Sequence, residues 1–158
     1  HKLMTMQNMT INDIQDNLIT EFSIHQDNNA LEQHLVQLGN QLPLMSADYK
    51  HDYYRIKDWP FPLWLKAELQ KDRVWFRADS EDPLTRALVS MLIKILGGHS
   101  PKEIADADLY FISETGLLRR LIPDHASKWL SILRRMKSFA VSYQLQLLQQ
   151  ESYQYQTS

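Results

Sequence analysis

The chain has 158 residues, a length that suits a single domain built around one core. Charged residues make up 23% of the sequence and the formal net charge is −2, which argues against nucleic acid or an acidic membrane as a partner. There is no cysteine, so disulfides, thiolate metal sites, iron–sulfur ligation and a thiol nucleophile are excluded. No cofactor is expected.

The sequence also bears on membrane insertion, secretion and the bounds of the domain. No stretch approaches the roughly 18 uninterrupted apolar residues of a membrane-spanning helix, and the start lacks a signal peptide's apolar stretch. We therefore expect a cytoplasmic protein. Residues 1–9 are interpreted as a non-native remnant and disordered start, 10–147 as the domain, and 148–158 as a polar tail.

Two amphipathic helices are predicted first. Apolar residues recur at helical spacing over 11–22, directly after Thr10, a residue type that favours the position before a helix. A second helix is predicted over 29–39 and is expected to end at Gly39, because glycine readily adopts the left-handed conformation of many helix ends.

A loop and a hairpin are predicted next. Residues 40–62 have no apolar period, so we expect a long ordered loop with a short strand near 54–57. Apolar and polar residues then alternate over 63–79, with Lys71-Asp72 as a tight connection. This alternation is typical of two antiparallel strands, each with one buried face.

The last third of the chain is predicted to be helical. A helix over 82–96 begins with an acidic cap and a proline and ends at two glycines, and a short helix over 100–106 begins with a capping box. A long helix is predicted from about Pro123, with fraying after Gln144. The expected fold class is α+β, with a small antiparallel sheet covered by helices on one face.

Most chemistry-bearing residues have a structural interpretation. None of the six histidines forms the i, i+4 pair typical of a helical metal site, so solvated or capping roles are expected. These histidines are His1, His25, His34, His51, His99 and His125. The acidic cluster of Asp79, Glu81 and Asp82 stands at a predicted helix start, where carboxylates complement the helix dipole.

One loop segment, Asp58-Trp59-Pro60-Phe61-Pro62, is unusual because it combines two large aromatics with two prolines. In one interpretation Trp59 and Phe61 fold inward as core plugs. In the other, the prolines stiffen a convex loop that presents both rings to a partner, since aromatic anchors dominate many interfaces. Both interpretations remain open from the sequence.

Several stretches carry a family pattern. They are Thr10-Ile11-Asn12-Asp13-Ile14-Gln15, Glu21-Phe22-Ser23, Leu38-Gly39, Leu42-Pro43, Trp64-Leu65, Ala78-Asp79-Ser80 and Gly98-His99-Ser100-Pro101-Lys102-Glu103-Ile104-Ala105-Asp106-Ala107-Asp108-Leu109-Tyr110-Phe111-Ile112. With them, residues 10–147 resemble the SufE family of sulfur-acceptor proteins, especially its Bacteroidetes-type form. The resemblance implies a SufE-like α+β fold. It also implies a role beside a cysteine desulfurase, whose persulfide sulfur a loop cysteine accepts and passes to Fe–S assembly.

The residues that the resemblance associates with sulfur transfer are replaced. The family loop reads Gly-Cys-Gln-Ser, and Trp59 stands at the position of its acceptor cysteine. The family signature Ser-Pro-x-Arg-x-Asn-Gly-Leu reads here as residues 122–129, without the Arg, Asn and Gly. The family's Trp and Tyr of the second helix are absent, and its Lys-Gly reads Arg86-Ala87. Replacements concentrated around one groove suggest a surface rebuilt by evolution of a paralogue or, as we favour, by engineering.

Three functions are compatible with this pattern. The leading hypothesis is a non-catalytic binding module whose rebuilt surface fits a concave site on a protein: a receptor pocket, an enzyme cleft, or a viral or cell-surface protein. The second is a natural, catalytically dead SufE paralogue that docks on a cysteine desulfurase. The third is a designed small-molecule site or enzyme with His34, Glu32 or His125 as base and Trp59 as stacking surface.

The binding surface is expected to combine aromatic anchors with a polar rim. The anchors are Trp59, Phe61 and Trp129, the rim contains Asp58, His125 and Lys128, and further site residues are Asn28, Asn29, His34, Pro60 and Pro62.

Overall fold

A computed structural model describes residues 9–24, 27–43 and 45–157, with side chains described up to Gln154. Residues 1–9 were expected to be a disordered start, and residues 1–8 of that segment lie outside the described residues. His25 lies outside them too. The described elements, in chain order, are α1 (Ile11–Ser23), α2 (Asn28–Asn40), two 3₁₀ turns (Ala47–Tyr49 and Asp52–Tyr54), β1 (Leu63–Gln70), β2 (Arg73–Ser80), α3 (Pro83–Leu96), α4 (Pro101–Asp106), α5 (Phe111–Thr115), α6 (Leu117–Leu121), a 3₁₀ turn (Pro123–His125) and α7 (Trp129–Thr157).

The two strands form the predicted antiparallel hairpin. Leu65 lies opposite Ala78 and Ala67 opposite Phe76, so that one face of the hairpin is apolar and buried. Helices α3 and α7 pack against the hairpin, and the Tyr143 hydroxyl donates a hydrogen bond to the Ala67 carbonyl at 3.1 Å. The expected α+β class, with a small antiparallel sheet covered by helices, is confirmed.

The residues predicted to cap helices do form capping hydrogen bonds at the helix starts. Thr10 and Ser100 each form a capping box, with Asp13 and Glu103 respectively. Asp82 accepts a hydrogen bond from the backbone N–H of Thr85 at 2.9 Å and so caps α3. Side-chain acceptors satisfy amide groups that have no partner inside a helix, which is why these residue types mark helix starts.

Helices α2 and α3 pack closely at Gly39. The prediction that Gly39 ends the second helix in a left-handed conformation is wrong, because α2 continues through this glycine to Asn40. A Cβ atom at Gly39 would lie 2.9 Å from the backbone nitrogen of Ala87. The glycine is therefore required by the approach of the two helices rather than by a helix end.

Three further predictions need correction. The strand expected near 54–57 is a single bridge between Arg55 and Trp64. The long helix α7 begins at Trp129 instead of Pro123 and continues through the tail that was expected to fray after Gln144. The short helices α5 and α6 were not predicted, since five residues are too few for an apolar period to stand out.

The core lies between the hairpin and the helices. Ile132, Met136 and Ala140 of α7 and Leu92 and Leu96 of α3 are among its fully buried side chains. Within the described parts of the chain, no helix is long and apolar enough to cross a membrane.

Candidate functional site

Trp59, at the position where the resemblance expects an acceptor cysteine, lies in the core. Only 4% of the residue is exposed, and its Nε1 donates a hydrogen bond to Thr85 Oγ1 at 3.0 Å. The Thr85 hydroxyl donates in turn to Asp82 Oδ2 at 2.7 Å. The indole N–H therefore joins the loop to the capped start of α3. The expectation that Trp59 is an exposed aromatic anchor is wrong, and the core-plug interpretation holds for this residue.

Phe61 and Pro62, which follow Trp59 in the chain, also contact the rest of the fold. Phe61 is half-buried and packs on the core cluster, with its ring centroid 6.3 Å from that of Trp59. The ring of His125 lies edge-on to Phe61 at 6.1 Å. The carbonyl of Pro62 accepts a hydrogen bond from the Ser80 hydroxyl at the end of β2. Residues 59–62 are thus attached to both α3 and the hairpin, so they do not form a free convex loop.

His125 also has a buried, unsatisfied atom. Among the described residues its Nδ1 has no hydrogen-bond partner, although the residue as a whole is half-buried. Its ring faces the aromatic Phe61, which offers no strong acceptor for a proton on Nδ1. The predicted role of His125 in the polar rim of a binding surface is not tested by this position.

A polar groove lies beside the buried tryptophan. The groove has a volume of about 570 Å³ and separates the loop residues 57–60 from residues 127–134, at the start of α7 and just before it. It is lined by Lys57, Asp58, Trp59, Pro60, Ser127, Lys128, Ser131 and Arg134. The structure therefore brings Asp58 together with Lys128, two residues of the predicted rim that are far apart in sequence. Trp129 is half-buried and packs on the core.

The groove also contains cations that the sequence reasoning did not select. Lys57 precedes the unusual segment directly, and Arg134 follows Lys128 by six residues, nearly two helical turns. The helical spacing of Lys128, Ser131 and Arg134 could have indicated a shared face, but nothing in the sequence indicates that this face meets residues 57–60.

The remaining predicted site residues belong to a different set of contacts. Asn28 accepts a hydrogen bond from Arg120 Nε at 3.0 Å, and the backbone N–H of Asn29 donates to the capping Asp27 at 3.4 Å. His34 Nε2 lies 2.8 Å from Glu21 Oε1, and its ring packs edge-on against Phe22. These contacts join α2 to α1 and α6, whereas residues 59–62 contact α3, the hairpin and His125.

Two residues of the acidic cluster, Asp82 and Asp79, have different structural roles. Asp82 caps α3 as predicted. Asp79 is instead buried, where Lys50 Nζ lies 2.7 Å from Oδ2 and the Arg86 guanidinium contacts Oδ1. Arg86 also donates to the carbonyl of Leu42 at 3.2 Å. This ion-pair network holds the loop after α2 against β2 and α3.

Metal binding finds no support in the described geometry. Within the described ranges, no three His, Asp or Glu side chains are grouped closely enough to hold a metal ion. The candidate site is a surface groove lined in part by the buried Trp59, and its cationic and hydroxyl groups are suited to non-covalent binding.

Comparison with known proteins identifies the framework. Residues 16–140 match the family model "SufE: Fe-S metabolism associated domain". An uncharacterized SufE-like protein of Synechocystis sp. is 28% identical over 142 residues, covering 90% of this chain and 89% of that protein. The cysteine desulfuration protein SufE of Plasmodium vivax is 28% identical over 110 residues, or 70% of this chain. The chain spans 45% of that longer relative.

A solved structure has the same fold. The solution structure of a hypothetical protein from Thermus thermophilus has a TM-score of 0.67, at 16% identity, and the match covers 82% of this chain and 94% of that one. Since the family model spans most of the domain, this chain belongs to the SufE family.

Proposed function

We propose that this chain is a non-catalytic, protein-binding member of the SufE family that docks on a cysteine desulfurase without accepting sulfur from it. The burial of Trp59 is the observation that supports this function most directly. The family resemblance expects a reactive cysteine there, and the chain has instead a 4%-exposed tryptophan hydrogen-bonded to Thr85. Sulfur transfer requires a thiolate, and the sequence contains no cysteine to provide one.

The partner is inferred from the family framework. A relative is named as a cysteine desulfuration protein, and the family model describes an Fe–S metabolism associated domain. The scaffold of this chain is retained, while the loop is converted into a core plug. A protein that keeps the shape and loses the thiol can still occupy the docking face of a desulfurase, and so would compete with a cysteine-bearing SufE protein.

The test is a competition assay with a purified cysteine desulfurase. Binding is measured by biolayer interferometry with this chain immobilised, and sulfide release is measured with a cysteine-bearing SufE protein as activator. We expect saturable binding. We also expect this chain, in excess, to reduce the activated rate to the basal rate. Absence of binding together with an unchanged activated rate would refute the proposed function.

A matched variant separates docking from sulfur transfer. Trp59→Cys supplies a thiol at the position of the family cysteine, but the side chain there is buried and the surrounding family residues are replaced. We expect this variant to dock and to remain unable to acquire covalent sulfur, as read by mass spectrometry. Persulfide formation on the folded variant would contradict the expectation that the replaced surrounding residues prevent sulfur transfer.

The other two hypotheses receive less support. A binder of a concave target was expected to insert Trp59 and Phe61, yet the first ring is buried and the second half-buried. A small-molecule site with His34 as base is disfavoured because His34 contacts Glu21 and Phe22 of α1. Trp59, the stacking surface of that hypothesis, is instead bonded to Thr85 of α3. An engineered origin, a Bacteroidetes-type origin and a cytoplasmic location stay predictions.

A further inference from the structure

The groove beside Trp59 has a local charge opposite to that of the whole chain. Three cations, Lys57, Lys128 and Arg134, line it together with one acid, Asp58, which leaves a local charge of +2. The chain as a whole has a formal net charge of −2. A cationic groove on an otherwise slightly acidic protein concentrates positive potential at one location.

The groove cations are not compensated by neighbouring carboxylates. Elsewhere Lys50, Lys66 and Lys102 each lie 2.7 to 3.0 Å from an Asp or Glu oxygen. Over the described residues, by contrast, no ion pair involves any of the three groove cations. Arg134 Nε contacts only a carbonyl of its own helix, that of Leu130 at 3.4 Å. Their charge is therefore available to a ligand.

The groove presents mainly hydrogen-bond donors. Lysine and arginine have no acceptor, so the three groove cations offer donors alone, whereas the Ser131 hydroxyl, which donates to the Lys128 carbonyl at 2.7 Å, can only accept from a ligand. A ligand that fits this set must supply acceptors with negative charge, and carboxylates do so with charge-assisted hydrogen bonds. Trp59 also lines the groove, and its bond to Thr85 fixes that part of the wall.

We propose that this groove binds an acidic segment, rich in Asp and Glu, of the partner protein. The groove is open rather than enclosed, which suits a run of side chains along a polypeptide, and its two walls come from residues 57–60 and residues 127–134. Nucleic acid is disfavoured because the groove offers only three cations, whereas proteins that bind duplexes strongly contact about 6–10 phosphates. The identity of the partner as a cysteine desulfurase rests on the function proposed above.

The first experiment uses a fluorescein-labelled octaglutamate peptide, with binding followed by fluorescence anisotropy. The test variant combines Lys128→Glu with Arg134→Glu. The matched control combines Lys94→Glu with Arg119→Glu, two exposed cations outside the groove, and it changes the net charge equally. Circular dichroism melting verifies that each variant folds.

Peptide affinity should fall at least tenfold in the groove variant and change less than twofold in the control. Added salt should also weaken binding to the wild type, because the Debye length is about 10 Å at 0.1 M salt. Equal losses in both variants would mean that only net charge matters and would overturn the groove as the site. Tighter binding of an eight-nucleotide oligothymidylate than of the peptide would overturn the assignment to an acidic protein segment.

The second experiment repeats the comparison with purified cysteine desulfurase in place of the peptide. If the wild type binds the enzyme and the groove variant binds at least tenfold more weakly, the groove is part of the docking surface. If both bind equally, the groove proposal fails while the docking function stands. If the wild type binds the peptide through the groove but not the enzyme, the proposed function fails and the acidic-segment site stands.

Discussion

Replacing Trp59 by alanine tests the interpretation of the whole loop. A buried tryptophan removes roughly 150–250 Å² from water. At about 25 cal/mol per Å² this corresponds to about 4–6 kcal/mol, an upper estimate because unfolded chains also bury surface. Measured truncations of buried tryptophan cost about 3–5 kcal/mol. Since Trp59 is only 4% exposed, we expect a loss of unfolding free energy in this range.

Urea denaturation followed by circular dichroism measures this loss. For a chain of this size each kcal/mol lowers Tm by roughly 2–4 °C, so the variant should melt about 6–20 °C below the wild type. Trp59→Phe keeps much of the ring and loses the indole N–H, so it should cost less than Trp59→Ala.

Trp75→Ala is the matched control for the size of the side chain. Trp75 lies on the outer face of β2 and is 46% exposed, so by buried area its truncation should cost roughly half as much. If Trp59→Ala instead cost under about 1 kcal/mol, the ring would not be a core residue. The exposed-anchor interpretation would then be restored.

Two further perturbations test the ion-pair network around Asp79 and the buried His99. Asp79→Asn should destabilise the protein by about 3–5 kcal/mol in urea denaturation, because it leaves Lys50 and Arg86 without their shared buried partner; a loss below about 1 kcal/mol would mean that solvent already screens the network. Burial lowers the pKa of His99 below its usual value of about 6.5 even though Glu103 opposes the shift. The unfolded state therefore binds the proton more readily, so His99 reduces the unfolding free energy as the pH falls through about 6.5. His99→Gln should flatten this part of the stability profile relative to the wild type, and an unchanged profile would contradict the assignment.

The elements with strong local signals could be predicted from the sequence. Alternation over 63–79 predicts the hairpin because successive side chains of a strand point to opposite faces. The starts of α1, α3 and α4 were predicted because Thr10, Asp82 and Ser100 are local acceptors for unpaired amides. The tail of α7 was misjudged, since its glutamines and leucines favour a helix even where few residues are buried.

The candidate site depended on contacts between distant segments. A proline-flanked aromatic segment is equally compatible with an exposed loop and a core plug, and its direction is set by the Thr85 hydroxyl, 26 residues further along the chain. The cationic groove likewise exists only because the fold places residues 57–60 opposite residues 127–134.

The lack of a sulfur-accepting thiol, the main helices and the hairpin follow from the amino-acid sequence, because they depend on composition or on neighbours within a few residues. The burial of Trp59, the pairing of Asp79 with Lys50 and Arg86, and the grouping of three cations in one groove arise from the packing of the folded chain. Such contacts join residues far apart in the chain. Local spacing carries no information about them until the core has packed.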